Sequence, residues 1–239
     1  MKQIVNFFVV AAIAVSVAFV GCKKDDKEVI KLVSTITQNN GNYFAYEYDE
    51  KNRIIYEGFY ASNGNIISSF TFTYSGNDLV KAVTNVNVIR EFAKTGNTIN
   101  VTRTTDGNSE FVQSFFLNND GLVIGSDFQQ QDDVYTFQYQ GKNLSKFVNK
   151  RNEETISDVD YLYDDKKSPF YHCKSPQWSM IMFFGGTSYG YYNNIIEVNY
   201  NPSIRNYSYE FDDDGYPTEM KTRVHNNEIL VASFSYISK

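Results

Sequence analysis

Apolar and polar residues alternate along most of this chain with a period of two. Phe70, Phe72 and Tyr74 share one face of a segment whose other face carries Thr71 and Thr73. Tyr135, Phe137 and Tyr139 repeat the arrangement against Thr136 and Gln138, and Tyr207, Tyr209 and Phe211 repeat it against Ser208 and Glu210. Val159, Tyr161 and Tyr163 stand against Asp158 and Asp160 in the same way. Successive side chains of a strand point to opposite faces, so the pattern predicts antiparallel strands with one apolar and one wet face. Helical spacing would scatter these rings around a cylinder. No segment from residue 29 to 167 shows it.

Turn residues punctuate the alternation. Asn39-Asn40-Gly41, Asn63-Gly64-Asn65, Ser75-Gly76-Asn77, Thr95-Gly96-Asn97, Asn119-Asp120-Gly121 and Asp213-Asp214-Gly215 are the clearest, and most neighbouring signals lie 10 to 14 residues apart. The segments between them have the length of ordinary strands joined by hairpins. All four prolines lie beyond residue 168, so from Cys22 to Ser168 every residue keeps an amide hydrogen for a strand ladder. The expectation is an all-β chain: an antiparallel up-and-down meander of about 14–16 strands forming a barrel or strongly curled sheet.

Residues 168–192 break the rhythm. Ser168-Pro169-Phe170-Tyr171-His172-Cys173-Lys174-Ser175-Pro176 reads as extended or looped, because each proline restricts the residue before it. Trp178, Met180, Ile181, Met182, Phe183 and Phe184 follow, then Tyr189, Tyr191 and Tyr192. Ser175 is placed to cap a short helix with Pro176 at its first position. A barrel of this many strands is too wide for strand side chains alone to fill, and so apolar a segment is expected inside it as a plug. The competing expectation is a mobile lid over a ligand, with Trp178, Phe183, Tyr189, Tyr191 and Tyr192 as its binding residues.

The N-terminus carries a different pattern. Lys2 precedes an apolar run from Ile4 to Val20, which ends in Phe19-Val20-Gly21-Cys22 and is followed by Lys23-Lys24-Asp25-Asp26-Lys27. A charged start, an apolar stretch and a small residue before a cut site make up a secretory signal, and the cysteine after the glycine makes it resemble a bacterial lipoprotein signal. That resemblance implies a leader over residues 1–21, acylation of Cys22 and a charged tether over 22–28, leaving 29–239 as a single β-meander domain. Several acyl chains on one cysteine anchor a domain stably. The alternative is an uncleaved anchor, since Ile4 to Val20 is 17 residues, the short end of a spanning helix. The Lys-Lys-Asp-Asp run is similar to the export tags of Bacteroidota surface lipoproteins. It implies an outer-membrane protein at the cell surface, with the periplasmic face as the alternative.

Composition narrows the possible partners. With 28 acidic and 22 basic residues the chain is mildly acidic and has no basic stripe, which excludes nucleic acid as an expected partner. Its two cysteines are Cys22 and Cys173, so with Cys22 lipidated no internal disulfide forms. The abundance of 19 Tyr, 19 Phe and 25 Asn fits half-buried pleated surfaces and tight turns.

Strand pairs resemble one another. Tyr46-Glu47-Tyr48-Asp49-Glu50-Lys51-Asn52-Arg53-Ile54 resembles the tyrosine–aspartate repeat of the RHS family, with Asn52 where that motif has glycine. Tyr209-Glu210-Phe211-Asp212-Asp213-Asp214-Gly215-Tyr216 is a looser copy. The lipidated leader, the aromatic hairpins, Tyr163-Asp164-Asp165-Lys166-Lys167-Ser168-Pro169-Phe170, the apolar insertion and Asn193-Asn194-Ile195 together look like a Bacteroidota family of lipoproteins with a domain of unknown function and a porin-like fold. That resemblance implies a meandering barrel and no activity.

Candidate chemistry is sparse, and no catalytic residue, metal ligand or cofactor is expected. The start of a calcium loop at Glu210–Gly215 fails at its twelfth position, Lys221, where a glutamate is needed. Asp158 and Asp160 share a wet strand face at a spacing, roughly 7 Å, that suits paired carboxylates. His172 and Cys173 are adjacent, so they point apart in an extended segment, whereas a nucleophile and its base must converge. His225 sits beside a turn, in solvent. The reading is a non-catalytic, lipid-anchored binding or interaction module of the cell envelope, with a glycan or envelope protein as partner. A membrane-spanning pore and a polysaccharide hydrolase are the alternatives.

Overall fold

The computed structural model describes residues 28–239 except 129–132, 185 and 226, together with the backbone but not the side chains of 186 and 187. The leader, Cys22 and the tether up to residue 27 lie outside the described residues. Strands β1 (Lys31–Gln38), β2 (Tyr43–Tyr48), β3 (Ile54–Tyr60), β4 (Ile66–Ser75), β5 (Asp78–Thr84) and β6 (Ile89–Thr95) open the fold. β7 (Thr98–Thr105), β8 (Asn108–Leu117), β9 (Val123–Phe128), β10 (Asp133–Gln140), β11 (Asn143–Arg151) and β12 (Glu154–Lys167) continue it. Two short helices, α1 (Gln177–Met182) and α2 (Gly186–Tyr189), precede β13 (Asn193–Asn199), β14 (Ile204–Phe211), β15 (Pro217–Val224) and β16 (Asn227–Ser238). Every strand pairs antiparallel with its sequence neighbours, and β1 pairs with β16. The sheet is a closed sixteen-stranded up-and-down barrel, so no edge is left unpaired.

The alternation sorts the faces as the sequence predicts. Phe72, Phe92, Phe115, Phe137, Val159 and Phe234 point inward and are buried. Many outward positions are polar or charged: Lys146 lies 2.6 Å from Asp158 and 3.4 Å from Asp160, and Lys221 pairs with Glu210 and Glu219. A lipid-spanning barrel needs the reverse, an apolar band outside and a wet lumen. An Arg or Lys at the bilayer midplane costs roughly 2–4 kcal/mol. The wall is apolar within and mixed without, where Phe116, Ile124, Val134 and Leu162 are exposed among the charged side chains.

One hairpin device recurs at one end of the barrel. Tyr48, Tyr74, Tyr139, Tyr209 and Tyr236, each near the end of an even-numbered strand, donate their hydroxyls to the carbonyls of Val33, Ile54, Val123, Ile195 and Pro217 at 2.7–2.8 Å. Each acceptor lies near the start of the preceding strand. The turn that follows the even strand is also repeated. Oδ1 of Asp49 accepts the amides of Lys51 and Arg53, that of Asn118 the amides of Asp120 and Leu122, and that of Asp212 the amides of Asp214 and Tyr216. The hairpins are therefore structural repeats with a shared tyrosine strut and a shared carboxylate- or amide-capped turn.

The apolar insertion enters the barrel at this end. Trp178, Met180 and Phe184 are buried, and Trp178 packs its edge on Phe92 with ring centroids 5.1 Å apart. Stitches to four strands fix its depth. Ser175 Oγ accepts the Ile54 amide at 2.9 Å and lies 3.0 Å from the Tyr74 hydroxyl. Gln177 Nε2 donates to the Tyr139 hydroxyl at 3.2 Å, and its Oε1 accepts the Val123 amide at 3.4 Å. The segment is a plug. The expected cap is corrected in detail: Ser175 is spent on Ile54, Pro176 occupies the cap position and α1 starts at Gln177 with no side-chain cap.

Candidate functional site: the open mouth of the barrel

The plug closes the end that carries the tyrosine struts and leaves the opposite end open. Between the plug and that mouth lies a cavity of about 560 Å³. Ile181 and Met182 form its floor, Phe115, Phe137 and Phe147 are among its rings, and Arg90, Arg103, Gln113 and Ser126 are its polar members. Cavities of ~300–1,000 Å³, mostly apolar with a few placed polar groups, are the ordinary form of small-ligand sites.

Strand register puts these groups there. Phe92 faces inward opposite Val101, so Arg90, two residues earlier on β6, faces inward opposite Arg103 of β7. A bulge at Val112 in β8 keeps both Gln113 and Glu110 on the inner face, opposite Val101 and Arg103. Gln113 Nε2 donates to Ser126 Oγ at 3.2 Å, and both side chains are buried. Arg103 donates to Glu110 Oε1 from Nε at 2.9 Å and also from Nη2. Arg90 lies over the Phe70 ring, 5.7 Å from its centroid. Burial, and then the charge of Arg103, hold the Arg90 pKa below its usual value. At the rim Arg151 clasps Asp133 with two bonds of 2.7 and 2.8 Å, and this partner holds the Asp133 carboxyl below its ordinary range.

The five aromatic residues expected at a ligand site are not brought together. Trp178 is wedged between Phe92 and Phe115, and Phe183 sits among Phe70, Phe72 and Phe92. Tyr189 packs edge-on against Phe234 and borders a second recess of about 960 Å³ beside β14 to β16. Tyr191 donates to the Cys173 carbonyl at 3.3 Å, while Tyr192 accepts from Lys142 Nζ at 2.8 Å. Trp178, Tyr191 and Tyr192 border a cleft at the plugged end instead. The mouth cavity takes only Ile181 and Met182 from the insertion. Sequence reading missed Arg90, Arg103 and Gln113. For Arg90 the signal was present, a charged residue in register with Phe92 on an apolar face.

Most of the other candidates have structural partners. Lys146 bridges Asp158 and Asp160, and Lys31 lies 2.7 Å from Asp212 and 2.5 Å from Asp214. His172 is enclosed by Tyr171 and Tyr216 with Glu28 at 3.5 Å, and burial lowers its pKa. Cys173 faces Met180 in the core, and burial pushes its thiol up to about 11. His225 is exposed. Among the described residues no group of His, Cys, Asp and Glu could hold a metal ion.

The molecule is thus a plugged up-and-down β-barrel with one wet mouth. Among solved structures it is similar to a porin-like protein from Bacteroides uniformis, at 11% identity over 89% of this chain and 96% of that one, with a TM-score of 0.49. No family model and no curated protein matches the chain.

Proposed function

We propose that the protein is a lipid-anchored binding module of the cell envelope, non-catalytic, that captures a small ligand, or the end of a larger envelope molecule, in the mouth of its barrel. The observation that carries this reading is the cavity itself: about 560 Å³, open at one end, floored by the plug and lined by rings with a few convergent polar groups. The leader over residues 1–21 and the cysteine that follows it, Cys22, support the address, the outer membrane and its cell surface. The charged pairs on the outer wall, Lys146 with Asp158 and Asp160 and Lys221 with Glu210 and Glu219, support a barrel held by lipid in preference to one that spans the bilayer.

The chain enters at the plugged end, where the Tyr216 hydroxyl donates to the Val29 carbonyl at 3.1 Å. Glu28 lies six residue steps beyond Cys22, a reach of at most roughly 22 Å at full extension. An anchor on Cys22 would hold the plugged end near the membrane and turn the mouth away from it, toward a free ligand, a glycan end or a partner envelope protein. The bridging of Asp158 and Asp160 by Lys146 favours binding over hydrolysis.

The test uses the protein lacking residues 1–22 with a neutral apolar dye such as Nile red, alongside a glycan array. Capture that is lost when Ser126→Phe fills the cavity supports the reading. Capture unchanged in Ser126→Phe removes the mouth as the site. A protein that stays in solution only with detergent favours the spanning pore.

A further inference from the structure

We propose that the mouth cavity takes a small amphipathic carboxylate, its acid group held at Arg90 and its apolar body laid among the cavity rings. This inference rests on the reading of the cavity as a ligand site and adds the chemistry of the ligand. The register sets Arg90 directly opposite Arg103 on the inner face. Like charges directly opposed on neighbouring strands destabilise a sheet, and partial burial of a guanidinium adds to the cost. An inner wall rich in aromatic rings thus carries two opposed cations.

One carboxylate meets them. Glu110 accepts from Arg103 through two nitrogens, and among the described residues no acid reaches Arg90, whose contact is with the face of Phe70. Asp133 at the rim is engaged by both Nε and Nη2 of Arg151 and does not compete for it. Arginine stays charged in proteins, and its planar fork matches a carboxylate through two parallel hydrogen bonds. A neutral sugar would leave this charge unmatched. A polyanion would meet Glu110 and Asp133 on its way in. A single acid group on an apolar body fits both the lone cation and the rings of Phe128, Phe137 and Phe147.

Every strand and the plug lie within residues 31–238, so the protein lacking residues 1–22 retains the whole barrel. Calorimetric titration with octanoate and with octan-1-ol separates charge from apolar burial. Octanoate is expected to bind at least about tenfold more tightly than the alcohol, and Arg90→Gln to weaken it on the order of ten- to a hundredfold while leaving the alcohol unchanged. Arg90→Lys, which keeps the charge without the fork, should retain part of the preference. Arg90→Gln removes the opposed charge, so its melting temperature should hold or rise.

Equal affinity for acid and alcohol in the native protein, or an octanoate affinity indifferent to Arg90→Gln, overturns the proposal. If octan-1-ol is captured and lost in Ser126→Phe while octanoate has no advantage, the cavity survives as a site and the carboxylate inference falls. If neither molecule binds, the carboxylate inference falls, and the cavity reading is decided by the dye and glycan tests alone.

Discussion

Asp164 and Asn194 are separated by 30 residues and joined by two hydrogen bonds: the Asn194 amide donates to Asp164 Oδ1 at 3.0 Å, and its side-chain Nδ2 to Oδ2 at 2.9 Å. Asp164 Oδ1 also accepts the Lys166 amide, two residues on. The same geometry closes the short turns, where Asp49, Asn118 and Asp212 each accept the amides two and four residues ahead. Asn194 therefore stands where the fourth residue of a plain turn would stand, and the plug has been grown out of one of the repeated turns. The flanking pairs agree, since Tyr163 opposes Ile195 as Tyr48 opposes Ile54.

Breaking this neck should loosen the plug while the barrel persists. Asn194 is fully buried, so Asp164→Ala leaves an amide and a backbone donor unpaired, a loss of about 2–4 kcal/mol. Urea unfolding should show a lower midpoint, with hydrogen exchange rising first in residues 168–192. Exchange that rises evenly over all strands would mean that the neck does not govern the plug.

The plug is expected to be a large part of the stability. Truncating a buried aromatic to alanine costs roughly 3–5 kcal/mol, against a total of about 5–15 for a domain. Trp178→Ala should lower the melting temperature sharply. Cys173, buried with its thiol pushed up to about 11, should react slowly with a thiol reagent until the protein unfolds. Rapid labelling of the native protein, together with an unmoved melting point in Trp178→Ala, would show a mobile lid in place of a plug.

The wall of the barrel was legible and its contents were only partly so. Period-two runs such as Phe70, Phe72 and Tyr74 gave inward faces directly, because burial of one face dictates that pattern. The hairpin between β5 and β6 left no glycine signal: it turns on Asn85-Val86-Asn87-Val88, with Asn87 at a positive φ of 60° and Thr84 bonded to Val88. That missing turn is why the strand number stayed a range. Closure depends on β1 meeting β16, a pairing of Lys31 with Ser238 that no local pattern can encode. The apolar insertion announced itself, yet which rings it exposes depends on its depth. Ser175, Gln177 and the tyrosine struts set that depth through contacts far apart in sequence. The aromatic residues of the insertion are therefore divided between core packing, the cleft at the plugged end and the recess beside β14 to β16, while the polar members of the mouth cavity come from β6, β7, β8 and β9.

A last prediction concerns Glu57. It faces the lumen between Tyr46 of β2 and Phe70 of β4, is 5% exposed, and its Oε2 has no hydrogen-bond partner. Burial pushes its carboxyl from 4.5 up to about 8. Because the folded state holds the proton more tightly than the unfolded chain, the native protein binds more protons across that interval. Stability is then complete below about pH 4.5 and declines as pH rises through about 8, by an upper limit of about 5 kcal/mol. Glu57→Gln keeps the shape and removes the titration. In urea unfolding between pH 5 and pH 8.5, the native protein should lose stability that the variant keeps, so the gap between them should widen steadily with pH. Parallel curves for the two proteins would show that Glu57 does not carry the dependence, and that a partner or water satisfies its charge in the lumen.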